Sequence, residues 1–257
     1  MKKIIIIIIV LLLASLGMVV WLKRVTIKDW LIPKPVVPVA VTREEIPVPV
    51  ETLHATSLPE QPVVPITPPD EFNLSIPFTS QAPSTNWDAT HEEACEEASM
   101  LMAARFLENR GIVDKNDAEQ AILDIIDTEE TDFGYGPSLT AAQTSEVLNY
   151  IYDDLTSEVI YDFTWDDIKQ AISQGYPVLV PAAGRELGNP NFTAPGPLYH
   201  MLVIKGYTPD YVITNDPGTR KGADYTYDYD KFYDAIHDWN DGNVPTGQKA
   251  IIIVKPI

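Results

Sequence analysis

The chain has 257 residues, 45% of them hydrophobic, and a formal net charge of −19. Residues 71–257 carry 11 basic against 31 acidic side chains, a balance that repels phosphate backbones and argues against nucleic-acid binding. A single cysteine, Cys95, excludes an internal disulfide framework.

Met1–Lys3 carry two lysines, and Ile4–Leu22 is an unbroken run of 19 uncharged residues before Lys23 and Arg24. A helix of that length crosses the ~30 Å hydrocarbon layer. The run ends in Met18, Val19, Val20, Trp21 and Leu22, without the small-x-small site of a cleaved signal peptide. The expectation is a single-pass membrane anchor over Ile4–Leu22, a short cytoplasmic end at residues 1–3 and an exported remainder. Residues 23–72 then change character. Ten prolines fall between Pro33 and Pro69, a density that forbids helix and interior strand and favours an extended Pro-rich linker. At ~3.1 Å per residue, it spans up to roughly 150 Å.

From Asn73 the pattern is that of a folded domain, 73–257. Asn73–Ser80 is strand-like and leads to Gln81. Thr90–Asn109 is a helical stretch in which Thr90 and Glu93 have capping-box spacing, placing Cys95 in the first turn. Asp114–Asp127 is a second helix, Thr128–Ser138 a Gly- and Pro-bearing loop, and Thr140–Asp153 a third helix. Val159–Phe163 reads as a strand. Thr164, with Asp167 three residues on, caps a fourth helix that Gly175 ends. Pro177–Pro181 is an apolar strand and Ala182–Pro197 a long loop. Leu198–Tyr207 and Asp210–Asp216 form a hairpin turning at Thr208-Pro209. Asp230–Asp238 is a last helix and Ala250–Lys255 a last strand. Helices first and strands late is an α+β order.

The start of a helix favours a thiolate through its dipole and free N–H groups, which is what a nucleophilic Cys95 needs. A lone cysteine is equally at home as a small buried hydrophobe, so the other side chains decide. His200 opens a buried-looking strand after a flexible loop. The hairpin brings the far end of its second strand back beside that start, so Asp216 or Asn215 is placed to fix the imidazole tautomer and leave one ring nitrogen for the thiol. Gln81 is a candidate oxyanion donor together with the Cys95 N–H. His91 and Cys95, in the run HEEAC, also have the i, i+4 spacing of a zinc helix, a competing metalloprotease expectation.

The order Gln, Cys at a helix start, His on a strand and Asp-Pro at the next strand's end resembles the C39 peptidase family, in particular its C39-like, papain-fold branch of stand-alone or anchored bacterial proteins. The pieces that carry the resemblance are IPFTSQAP (76–83), EEACEEASMLMA (92–103), YPVLVP (176–181), YHMLVIKGY (199–207) and ITNDPGTRKG (213–222). The resemblance implies a papain-like α+β fold, N-terminal helices packed on an antiparallel sheet, and a cysteine peptidase. It assigns Cys95 as nucleophile, His200 as general base, Asp216 as the orienting residue and Gln81 as oxyanion helper, with no metal and no organic cofactor. A peptide or protein is the implied substrate, and the acidic balance of this chain favours a basic one. Two alternatives share the fold: a non-catalytic domain that binds peptide or cell wall, and a cell-wall peptide amidase.

The chain departs from the family pattern in having Ala94 before the cysteine and Glu96-Glu97 after it. Glu92, Glu93, Glu96 and Glu97 crowd Cys95. They suit the helix N-terminus yet oppose a thiolate, and the expectation is that at least one of them faces the cleft. The loop 182–197 is expected to line or cover it.

Overall fold

Side-chain caps set where three of the helices begin. Asp114 accepts from the N–H groups of Asn116 and Asp117 and starts α2, Lys115–Thr128. Thr140 and Gln143 form a capping box at the start of α3, Ala141–Ile151. Thr164 and Asp167 do the same for α4, Trp165–Ser173, and Gly175, at φ 85°, turns the chain out of it. These starts follow the sequence expectation. The helix that carries the cysteine does not. α1 runs Cys95–Leu107 with Ala94 as its cap residue and no side-chain cap. Thr90 and Glu93 belong to a turn before it, in which the Glu93 N–H bonds the Thr90 carbonyl at 3.2 Å. Their spacing is therefore not a capping box, and no N-cap side chain caps α1.

The computed structural model describes residues 35–46 and 67–257. The anchor expected at Ile4–Leu22 and much of the linker expected over 23–72 lie outside them. Among the described residues no helix is long and apolar enough to cross a membrane.

A single antiparallel sheet organises the domain. Its strands are β1 (Phe72–Asn73), β2 (Leu155–Ile160), β3 (Val178–Ala183), β4 (Tyr199–Tyr207), β5 (Tyr211–Asn215), β6 (Tyr225–Asp228) and β7 (Ile251–Pro256), in the order β2-β7-β3-β4-β5-β6, with β1 added to β4. β3 and β4 are buried along their whole lengths; β3 is wholly apolar, as a strand covered on both faces requires, whereas β4 also buries His200 and Lys205. α1 lies against β4 and is itself buried at all 13 positions. Its Ser99 hydroxyl donates to the Met201 carbonyl at 3.2 Å. Ala118, Ile122 and Ile125 of α2 cover the other side of α1. The result is the expected α+β fold, helices packed on an antiparallel sheet.

Three local expectations change. The segment after α2 is not a loop at first: Glu129–Phe133 continues as a π-helical turn, and only Gly134, at φ 69°, breaks it. The strand expected at Val159–Phe163 begins four residues earlier and pairs along its length with β7. The loop 182–197 contains the end of β3 and a short helix, α5, Gly184–Leu187. A further helix, α6, spans Tyr229–Ala235.

The described part of the linker is not a free spacer. Val41 bridges Leu74, the Val41 N–H bonds the Asn73 carbonyl at 2.8 Å, Asn73 Nδ2 donates to the Pro38 carbonyl at 3.0 Å, and Ile46 is buried. The segment is also not extended throughout, since Arg43–Glu45 forms a 3₁₀ turn boxed by Thr42 and Glu45, and two apolar side chains and a sheet edge fix where it lies. A chain truncated to start at residue 71 is therefore expected to be less stable than the full chain by about 2–4 kcal/mol, the burial of roughly two aliphatic side chains. Paired urea titrations of the two proteins check this.

Candidate active site

Cys95 is the first residue of α1 and only 4% exposed. Its Sγ donates to Glu96 Oε2 at 2.9 Å. Burial pushes the thiol well up, the charges of Glu96 and Glu97 push it further, and a backbone hydrogen bond from Met201 opposes them. Burial first, and the carboxylates second, thus hold the proton on the thiol in this resting arrangement. Glu96 is itself buried, its Oε1 accepting the Leu139 N–H at 2.9 Å, and burial raises its carboxyl to about 8.

This coupling has a measurable sign. Below about pH 7 the wild-type Glu96 is protonated, so Glu96→Gln presents the thiol with a similar neutral neighbour and both proteins alkylate at similar rates. Above about pH 8 the wild-type carboxyl ionises and holds the thiol proton in place. The variant keeps gaining thiolate there, so its iodoacetamide rate at roughly pH 9 is expected to exceed wild type severalfold, since each unit of thiol pKa is tenfold in thiolate. Stopped alkylation with mass readout from pH 6 to 9.5 checks it.

His200 stands near the start of β4 and is 1% exposed. The ladder slips by one residue between Ile204 and Gly206, then pairs Val203 with Asn215. Asp216, next after Asn215, is thereby returned to His200, and His200 Nε2 and Asp216 Oδ1 are 2.8 Å apart. Of the two residues left open by the sequence, Asp216 meets the imidazole. The side chain of Asn215 turns elsewhere, to the carbonyls of Ile76 and Pro77. His200 Nδ1 is buried with no partner among the described residues.

Asp216 is fully buried and held on every side. Its Oδ1 also accepts the Gly218 N–H at 3.0 Å, and its Oδ2 accepts from Asn189 Nδ2 at 2.9 Å and from the Tyr227 hydroxyl at 2.6 Å. Burial raises its carboxyl, but His200, Tyr227 and Asn189 together outweigh burial and leave it lowered. Gly222 packs directly on this residue. Its carbonyl accepts the Asp216 N–H at 3.0 Å, and a methyl group there would overlap the Asp216 carbonyl oxygen.

Gln81 is placed at the same site by its backbone N–H, which bonds the Pro217 carbonyl at 3.0 Å. Its Nε2, however, donates to the carbonyls of His91 and Glu92 at 2.8 and 3.0 Å. The amide pins the turn before α1 and has no hydrogen left over in this state. The zinc spacing of HEEAC does not survive, because His91 precedes the helix. Its Nδ1 meets Asp88 Oδ1 at 2.7 Å and its Nε2 meets Glu119 Oε1 at 2.9 Å, which ties the turn to α2.

A cleft of about 980 Å³ adjoins these residues, lined among others by Gln81, Glu93, Phe192, Tyr199, Gly218 and Trp239. Neither Cys95 nor His200 lines it. The Phe192 ring meets the His200 ring edge-on at 5.3 Å, and Gly218 lies so close that an added Cβ would sit 2.8 Å from both His200 Cε1 and Phe192 Cε1. The long loop therefore does what the sequence suggested: residues 190–198 form a wall of the cleft, and Phe192 packs on the imidazole. Asn189, Phe192 and Tyr227 carried no local signal in the sequence, since each acts through a contact made only on folding.

A family model described as the Peptidase_C39 like family matches residues 73–242. The chain belongs to the Peptidase_C39 like family. The match takes in Gln81, Cys95, His200 and Asp216. Among solved structures, a Bacillus anthracis protein described as a C39-like peptidase shares 17% identity at a TM-score of 0.47, over 70% of this chain and 95% of that one. A double glycine motif protease from an AMS/PCAT transporter, in complex with the leader peptide, shares 18% at 0.37, over 67% of this chain and 89% of that one. No curated protein matches the chain.

Proposed function

We propose that this C39-like chain is a thiol peptidase in which Cys95, His200 and Asp216 form the catalytic triad. The observation that carries the proposal is the buried His200–Asp216 pair: one ring nitrogen is held by a carboxylate, and the other is left without a partner on the strand that α1 and its cysteine pack against. Cys95 Sγ attacks the peptide carbonyl carbon as His200 Nδ1 takes the thiol proton. The C–N bond then breaks, the amine leaves with that proton, and water cleaves the thioester. Asp216 keeps Nε2 protonated and the ring fixed. The N–H of Cys95, first residue of α1, stabilises the oxyanion. Gln81 joins it only after exchanging one of its carbonyl bonds.

Two contacts must give way on substrate binding. Phe192 must leave the imidazole, and the thiol must leave Glu96. That closed thiol favours the second reading, a domain that binds peptide without cutting it. A peptide electrophile that captures cysteine nucleophiles separates the two. Full-length protein forming one adduct on Cys95, with the rate falling sharply in His200→Ala, supports the peptidase; a thiol that stays unlabelled in the native protein and reacts only on unfolding supports the binder.

The substrate proposed is a peptide or protein segment lying in the cleft, whose charge is divided between Glu92 and Glu93 and, elsewhere on its lining, Arg220 and Lys221. The location proposed, a membrane-anchored and exported domain, rests on the apolar run Ile4–Leu22 and the proline-rich residues after it.

A further inference from the structure

Charge is not spread evenly over the lining of the cleft. Glu92 and Glu93 stand on it at the approach to α1, and Arg220 and Lys221 stand on it at the turn after Asp216. Residues 71–257 hold 11 basic against 31 acidic side chains, so two adjacent cations at this place run against the balance of the domain. Both are exposed. Among the described residues neither forms an ion pair, whether with the glutamates of the same cleft or with any other carboxylate. Their charges therefore face the space that a substrate would fill.

The turn that carries them is fixed to the proposed catalytic residues. Its two ends are joined by the bond from the Asp216 N–H to the Gly222 carbonyl. Within it, the Gly222 N–H bonds the Thr219 carbonyl at 3.2 Å and the Lys221 N–H bonds Thr219 Oγ1 at 3.3 Å, and Thr219 is itself buried. At its head, the Gly218 N–H donates to Asp216 Oδ1, and a Cβ on Gly218 would sit 2.8 Å from His200 Cε1 and 3.1 Å from His200 Nε2. The turn thus passes against the imidazole. Arg220 follows Gly218 by two residues, a Cα separation of at most ~7 Å. The imidazole gives its proton to the departing amine, while the acyl part of the peptide stays on the thiol. The segment released first therefore lies on the imidazole side, where this turn is.

We infer that Arg220 and Lys221 form a carboxylate-binding site for the leaving segment, so that the substrate carries a carboxylate just C-terminal to the bond that is cut. A guanidinium offers paired N–H donors that match a carboxylate, and the ammonium beside it adds a second charge. An extended peptide advances ~3.3 Å per residue. The carboxylate accordingly belongs to one of roughly the first three residues after the cut. An Asp or Glu side chain and the end of the peptide chain present the same group, and the test separates them. This role rests on the thiol-peptidase chemistry proposed above, which supplies the direction of the peptide.

The test uses the full chain and two sets of matched peptides. One set places glutamate or glutamine at each of the first three positions after the cut and ends in an amide; the other is neutral and ends there as a free acid or an amide. In one set or both, kcat/KM for the carboxylate peptide is expected to exceed that for its neutral partner by about fivefold to thirtyfold, between an exposed ion pair and a charge-assisted hydrogen bond. The advantage is expected to shrink as salt is added, because both cations are exposed. It is expected to fall to within about twofold when Arg220→Gln and Lys221→Gln are combined, and to remain in Lys115→Gln, the same change of charge at an exposed residue outside the cleft lining. Arg220→Glu with Lys221→Glu is expected to turn the preference toward lysine at the same position. A preference in the first set alone identifies an acidic side chain as the ligand, and in the second alone a chain end. A wild-type ratio near one in both sets, or a ratio unchanged in the double glutamine variant, overturns the site. Binding of the tripeptide amides Ala-Ala-Glu and Ala-Ala-Gln and of trialanine as acid and amide, followed by NMR, tests the site without turnover. If no peptide is cut but a carboxylate tripeptide binds wild type and not the double glutamine variant, the peptidase fails and the carboxylate site stands. If peptides are cut without preference and the acid and neutral tripeptides bind alike, the site fails and the peptidase stands.

Discussion

Alanine in place of His200 is expected to lower kcat/KM by roughly 1,000-fold or more, the contribution of a positioned general base, with little loss of the rest of the fold. The His200 imidazole has one nitrogen held by Asp216 and the other without a partner among the described residues. Its removal leaves the Cys95 thiol bonded to Glu96 with no base to move the proton toward a leaving amine. The thiol, already pushed up by burial, then has no route to a thiolate near neutral pH. Phe192 and Gly218 pack on the ring, so His200→Ala also opens a small void and costs some stability. His200→Gln, which refills much of that space without a base, separates the two effects: turnover stays low while the melting temperature recovers.

Asp216→Ala is expected to do damage of a different kind, lowering both turnover and stability, the latter by about 3–5 kcal/mol, the effect of breaking a buried charged pair. Four donors converge on this carboxylate, from His200, Gly218, Asn189 and Tyr227. The alanine variant strands all of them out of water. Tyr227→Phe removes one hydrogen bond and is expected to cost nearer 1 kcal/mol, with the carboxylate and imidazole still paired. The pH dependence follows from the lowered Asp216 carboxyl. A lowered folded value means that the stabilisation is fully present above the unfolded value, about 3.9, and is lost as pH falls through the folded value. The gap between wild type and Asp216→Ala in urea titrations is therefore constant near neutrality and narrows only below about pH 4.

The site is unevenly legible in the sequence. Cys95, His200 and Asp216 could be found because each is marked by a local pattern: a helix start, a strand start, a hairpin that returns on itself. The hairpin placed Asp216 by its strand-end position alone. The strand Tyr225–Asp228 was missed although Tyr225 and Tyr227 alternate, because polar residues between them hide an edge strand; with it went Tyr227, one of the groups that hold Asp216. Asn189 and Phe192 lie in a loop whose path depends on folding: Asn189 bonds Asp216 and Tyr227, and Phe192 packs on His200. Thr90 and Glu93 had the right spacing for a cap but fall before the helix, since the turn is pinned instead by His91 and the Gln81 amide. The proline-rich segment shows the same limit. Composition predicts an extended spacer, whereas Arg43–Glu45 turns as a 3₁₀ helix and the packing of Val41 and Ile46 ties part of the segment to the domain.

The four glutamates around Cys95 divide into two pairs with different surroundings. Glu92 and Glu93 line the cleft, whereas Glu96 and Glu97 are buried, one on the thiol and one against Glu129.

The proposed peptidase stands or falls with Cys95 cutting peptide bonds. Its most direct measurement is cleavage of a diverse peptide library by the full-length protein, read by mass spectrometry beside Cys95→Ala. Discrete cleavage products from the wild type that disappear in Cys95→Ala are the expected result; products that form at the same rate in both proteins, or in neither, would contradict it.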